Sequence, residues 1–97
     1  MQFAREVAQI VCSIPAGFVL TYGDVAAQAG FPSHSRLVGK ILGCIGIKSD
    51  VPCHRVVNFQ GRTAPHWHHQ RALLEAEKVS FRPNGSVDLD IHRLKLL

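Results

Sequence analysis

At 97 residues, with 46% hydrophobic content and no bias toward disorder, the chain has material for one compact core and not two. No apolar run approaches the roughly 20 residues of a bilayer span, and MQFAREVAQIVCSIP carries acidic and polar residues where a signal peptide is uniformly apolar. A single soluble, monomeric, cytoplasmic domain over residues 1–97 is expected. The net charge of +4 is concentrated, because Ser33 to Arg62 holds five basic residues (Arg36, Lys40, Lys48, Arg55, Arg62) against Asp50 alone. Such a stripe suits a polyanionic partner such as DNA, or an ordinary solvated surface.

Taken in chain order, Phe3, Val7, Ile10, Val11 and Ile14 fall at helical spacing and predict an opening amphipathic helix that Pro15 and Gly17 end. Thr21-Tyr22-Gly23-Asp24 reads as an N-terminal cap for a second, short helix through Val25, Ala26 and Ala29, stopping at Gly30. Pro32-Ser33-His34-Ser35 starts a third helix with Leu37, Val38, Ile41, Leu42 and Ile45 as its buried stripe. Its opposite face carries Arg36, Gly39, Lys40 and Gly43. Two glycines on that face weaken the helix, a cost understandable if another backbone must approach closely. Two short helices joined by a Gly-containing turn outline a helix-turn-helix, a shape that helical hairpins without DNA also adopt.

Beyond Gly46 a loop is expected, then a strand Arg55-Val56-Val57-Asn58-Phe59 that with Gln60-Gly61 and Arg62 suggests a wing. Trp67 to Lys78 predicts a fourth helix, with Trp67 as its core anchor or as a platform for an exposed base. Pro83-Asn84-Gly85 predicts a turn in a C-terminal hairpin and tail over 81–97. The fold class is therefore mainly α with small β elements, a winged helix-turn-helix-like DNA-binding domain.

Three cysteines without a CxxC pair argue against both a disulfide framework and a zinc site. The histidines of His66-x-His68-His69 lack a second ligand motif, so no metal is expected. Chemistry is sought instead at Cys53. A thiol acts as a nucleophile only as thiolate, and His54 and Arg55 beside it supply a base and a positive charge. Pro52 fixes the backbone just before the thiol.

Pro52-Cys53-His54-Arg55-Val56 resembles the active-site signature of the O6-methylguanine-DNA methyltransferases. Thr21-Tyr22-Gly23 and Arg36-Leu37-Val38-Gly39-Lys40 precede it in the family's order and spacing. The resemblance covers residues 3 to 80, the family's C-terminal DNA-binding domain. It implies a protein that flips an O6-alkylguanine out of duplex DNA and takes its alkyl group onto Cys53 in one stoichiometric step, without a cofactor. His54 is then the base, acting through a water, and Glu77 the carboxylate that orients it. Tyr22 promotes base rotation and Arg36 replaces the flipped base in the stack. Gly39, Lys40, Arg55 and Arg62 complete the DNA-binding set, and Tyr22, Pro52 and Val56 line the pocket.

The size of the chain, and its tail Asn84-Gly85-Ser86-Val87-Asp88-Leu89 followed by Arg93, are similar to alkyltransferase-like proteins. These bind alkylated DNA without repairing it, recruit nucleotide excision repair proteins, and usually carry Trp at the acceptor position. The family's supporting asparagine is replaced, with Cys44 and Ile45 at the candidate positions, and its substrate loop is unrecognisable in residues 62–69. Three readings stand: an alkyl-accepting enzyme, a silent lesion sensor, and a winged-helix DNA-binding protein with an inert cysteine.

Overall fold

The computed structural model describes residues 2–45 and 50–95. Helix α1 spans Gln2–Cys12 and buries Val7 and Val11. Its last turn is closed by the Ser13 hydroxyl, which donates to the Ile10 carbonyl at 2.6 Å. Strand β1, Leu20–Thr21, leads straight into α2, Tyr22–Gln28. The expected cap forms in full: the Thr21 side chain accepts from the Asp24 amide at 3.0 Å, and the Asp24 carboxylate accepts from the Thr21 amide at 3.1 Å. Gly30, at φ 91°, turns the chain after α2.

Helix α3 is Ser35–Ile45, with Val38, Ile41 and Leu42 buried against α1 and α2. These three helices enclose the main core, which also takes in Leu20, Cys53 and Val56. Cys53–Arg55 form a single 3-10 turn that runs into strand β2, Val56–Val57. Strand β2 pairs parallel to β1, Leu20 opposite Val56 and Thr21 opposite Val57. The wing strand expected over 55–59 is thus corrected. Only two residues are extended, and they are buried on both faces rather than projecting as a hairpin. The turn after them does form, as the Asn58 Oδ1 accepts from the amides of Gln60 and Arg62, each at 2.9 Å. Gly61 is required there. Its φ is 83°, and a Cβ would stand 2.7 Å from the Val87 carbonyl oxygen.

Helix α4 is Gln70–Ala76, shorter than the helix expected over 67–78. Residues before it make turns, with Trp67 donating to the Ala64 carbonyl and Gln70 to that of Trp67. Lys78, at φ 68°, ends it. A smaller core gathers Val19, Val57, Leu74, Val79 and Val87. The C-terminal turn is present, its flanks joined by an antiparallel bridge between Phe81 and Val87. A final short helix, α5 (Leu89–His92), follows without a sequence signal that predicted it. The loop expected after Gly46 lies, over residues 46–49 and with it Lys48, outside the described residues. Among the described residues, no helix is long and apolar enough to cross a membrane.

Candidate functional site

Cys53 opens the 3-10 turn beneath a cavity of about 240 Å³. Tyr22 at the start of α2 and Gly39, Leu42 and Gly43 of α3 form one wall; Ala64, His66, Trp67 and Gln70 form the other. Gly39 faces the Tyr22 ring, and a Cβ there would stand in ordinary contact with it at 3.8 Å. Tyr22 and Cys53, expected together from the sequence, share the cavity. Pro52 and Val56 do not line it. Val56 is 1% exposed and belongs to the core, because β2 turns its side chain inward. That part of the expected pocket is corrected: the wall opposite α3 is supplied by the loop over residues 64–69.

Burial pushes the pKa of the Cys53 thiol up, so at rest it is a protonated thiol. Burial, and secondarily the neighbouring Cys53, also push the Tyr22 phenol up. The residue that follows Cys53 in the chain is held by a carboxylate. His54 Nε2 lies 3.0 Å from Glu77 Oε2. An ionised carboxylate only accepts, so Nε2 carries the hydrogen of this bond. Hydrogen bonds from Arg55, then those from His54, hold the Glu77 carboxyl below the usual carboxylate range despite its partial burial.

Arg55 corrects a second expectation. Its Nε donates to Glu77 Oε1 at 3.0 Å, its Nη2 to Oε2 at 2.6 Å and its Nη1 to the Ile14 carbonyl at 2.7 Å. All three guanidinium nitrogens face inward, so Arg55 fixes Glu77 and through it His54, and is not a free phosphate contact. Arg36, Lys40 and Arg62, by contrast, are exposed. Among the described residues they make no ion pair.

Gln70 is the residue that sequence reasoning missed. It is 1% exposed, and every polar atom of its amide is used. Its Nε2 donates to the carbonyls of His54 at 3.0 Å and Val56 at 2.9 Å, while Oε1 accepts from the Ala64 amide at 2.7 Å. One side chain therefore ties the 3-10 turn that Cys53 opens to the backbone of Ala64 in the cavity wall. Trp67 also serves that wall, its ring edge-on to His54 at 6.5 Å between centroids. Among the described residues, no three His, Cys, Asp or Glu side chains gather to hold a metal.

A sequence model described as "6-O-methylguanine DNA methyltransferase, DNA binding domain" matches residues 2–79. The chain belongs to this family. Within it, the chain is 45% identical over 94 residues to the DNA base-flipping protein of Escherichia coli strain K12, covering 94% of this chain and 73% of that protein. It superposes with a TM-score of 0.86 on Schizosaccharomyces pombe Atl1, solved in complex with damaged DNA containing O6-carboxymethylguanine. That match is at 32% identity and covers 98% of this chain and 96% of Atl1. Mycobacterium tuberculosis OGT, solved in complex with DNA, superposes at 0.73 with 37% identity, over 80% of this chain and half of its own length. The family thus includes methyltransferases and alkyltransferase-like proteins, and this chain has the mainly helical, helix-turn-helix-like fold of their DNA-binding domain.

Proposed function

We propose that this protein binds duplex DNA at O6-alkylguanine, takes the rotated base into the cavity between Tyr22 and Trp67, and accepts the alkyl group on Cys53. The observation that carries this reading is that the cavity holds a cysteine whose next residue, His54, is locked to Glu77, while α3, whose Gly39, Leu42 and Gly43 wall the cavity, also carries the exposed cations Arg36 and Lys40. Lys40 on α3 and Arg62 beyond β2 grip the phosphates, and Arg36 takes the place vacated by the base. Tyr22 crowds the phosphate of the target nucleotide and favours rotation.

In the transfer step the Cys53 proton moves to His54 Nδ1, by way of a water, and Glu77 stabilises the imidazolium that results. The thiolate attacks the alkyl carbon, a C–S bond forms, the O6–C bond breaks with its electron pair passing to O6, and the imidazolium returns its proton to the guanine. The thioether has no route back, so each molecule acts once. Exposed free thiols at Cys12 and Cys44 support a cytoplasmic, reducing setting.

A second reading is a silent lesion sensor that recruits nucleotide excision repair proteins. It is favoured by the upward-shifted thiol and by the near-complete superposition on Atl1. Intact mass after incubation with a duplex containing O6-methylguanine decides between them. Transfer predicts a gain of one methyl group, absent in Cys53→Ser. Tight, lesion-specific binding with unchanged mass would leave the sensor.

A further inference from the structure

The C-terminal segment runs back to the place where Tyr22 is mounted. Residues 92–94 lie against the free edge of β1: the Val19 amide donates to the His92 carbonyl and the Leu94 amide to the Val19 carbonyl, each at 2.9 Å. His92 pins the same segment from its other side, with Nδ1 2.9 Å from the Gly17 carbonyl oxygen and Nε2 accepting from the Ser80 amide at 2.9 Å. This alignment brings Arg93 over the first turn of α2. There its Nε donates to Asp24 Oδ2 at 2.9 Å and its Nη2 to Oδ1. Asp24 is the capping residue whose Oδ2 also accepts from the Thr21 amide, and Tyr22, followed by Gly23, lies between the two ends of that cap.

We propose that Arg93 is a positioning residue for the candidate site: it clamps Asp24 across the start of α2 and thereby holds Tyr22 against the cavity. The geometry separates this from an ordinary surface ion pair. Isolated exposed pairs hold loosely and contribute little. Here Arg93 is 52% exposed but the Asp24 side chain only 15%, the fork is two-pronged, and the carboxylate it grips is itself part of the helix cap. Arginine is the fitting choice, since an ammonium offers a point charge and not a planar pair of donors. Arg93 lies beyond the stretch 2–79 matched by the family model, so the brace comes from the tail and acts on the matched stretch from outside it.

The protein has one tyrosine, so ultraviolet titration of phenolate absorbance reads Tyr22 alone. In the wild type it titrates above the ordinary tyrosine range. In Arg93→Ala the curve moves toward the ordinary value, and in Arg93→Lys it falls between. Arg82→Ala removes a different ion pair of the tail, to Asp88 and Asp90, and leaves the curve unmoved. Because the role of Tyr22 in base rotation rests on the function proposed above, a second arm measures binding. Arg93→Ala weakens binding to an O6-methylguanine duplex about tenfold by the loss of preorganisation, with binding to the undamaged duplex within twofold. An unmoved Tyr22 titration in Arg93→Ala, or an equal shift in Arg82→Ala, overturns the brace. If the wild type shows no lesion preference while the titration shifts as described, the brace stands and the functional reading falls.

Discussion

The two sides of the cavity are built on opposite principles. On the side of Cys53 the buried polar side chains are tied to one another and to the backbone: Glu77 holds His54 and Arg55, and Gln70 holds two carbonyls and an amide. On the α3 side the outer face offers Arg36 and Lys40, exposed and without an ion pair among the described residues, beside glycines that add no bulk. Buried polar groups are expensive when unpaired, so the first region specifies one arrangement of the chain. Exposed cations cost nothing to leave in water and gain most when they displace the counterions condensed on DNA phosphates. Substitutions on the first side therefore act through stability and geometry, and substitutions on the second through binding.

The largest effect is expected at Gln70. Gln70→Ala strands the carbonyls of His54 and Val56 and the amide of Ala64, and urea denaturation should show a loss of about 3 kcal/mol. Glu77→Ala should cost about 2 kcal/mol by the same measurement, since it leaves the Arg55 charge half-buried without its partner. If both variants kept wild-type stability, the contrast between the two sides would fail.

Acid sharpens the comparison. The folded-state pKa of Glu77 is depressed, so its contribution to stability is complete above the unfolded glutamate value of about 4.3 and is lost as pH falls through the lower, folded one. Melting temperature should hold between neutrality and about pH 5 and fall below about pH 4, with a shallower fall in Glu77→Gln. On the other side, Arg36→Ala should leave stability within about 0.5 kcal/mol while weakening binding to a lesion duplex far more than Lys95→Ala does. Lys40→Ala has the smallest effect. It should weaken damaged and undamaged duplexes alike and lower the slope of log affinity against log salt by about 1.

The parts of the molecule legible in the sequence are those with local causes. The capping box at Thr21 and Asp24, the apolar stripe of α3 and the turn at Pro83-Asn84-Gly85 each follow from residues a few positions apart. The resemblance in Thr21-Tyr22-Gly23 and Pro52-Cys53-His54-Arg55-Val56 singled out Tyr22 and Cys53, which share the cavity, and His54 and Glu77 do meet. What was missed depends on partners distant in the chain. The parallel pairing of β1 and β2 is two residues long, too short to leave a periodic signature, and it carried the expected wing inward. Arg55 looked like a phosphate contact because sequence shows its charge and not Glu77, 22 positions on. Gln70 has no motif, as an amide satisfied by three backbone groups is unlike any spacing rule. Asp24 and Arg93 stand 69 residues apart.

The central claim is that one cavity, walled by Tyr22 and Trp67 over Cys53, receives the lesion base. Trp67 is the only tryptophan, so its fluorescence reports the wall of that cavity directly. Titration with an O6-methylguanine duplex should quench it by stacking or close contact with the rotated base, and a matched undamaged duplex should bind with little change. Identical responses to the two duplexes would contradict the account.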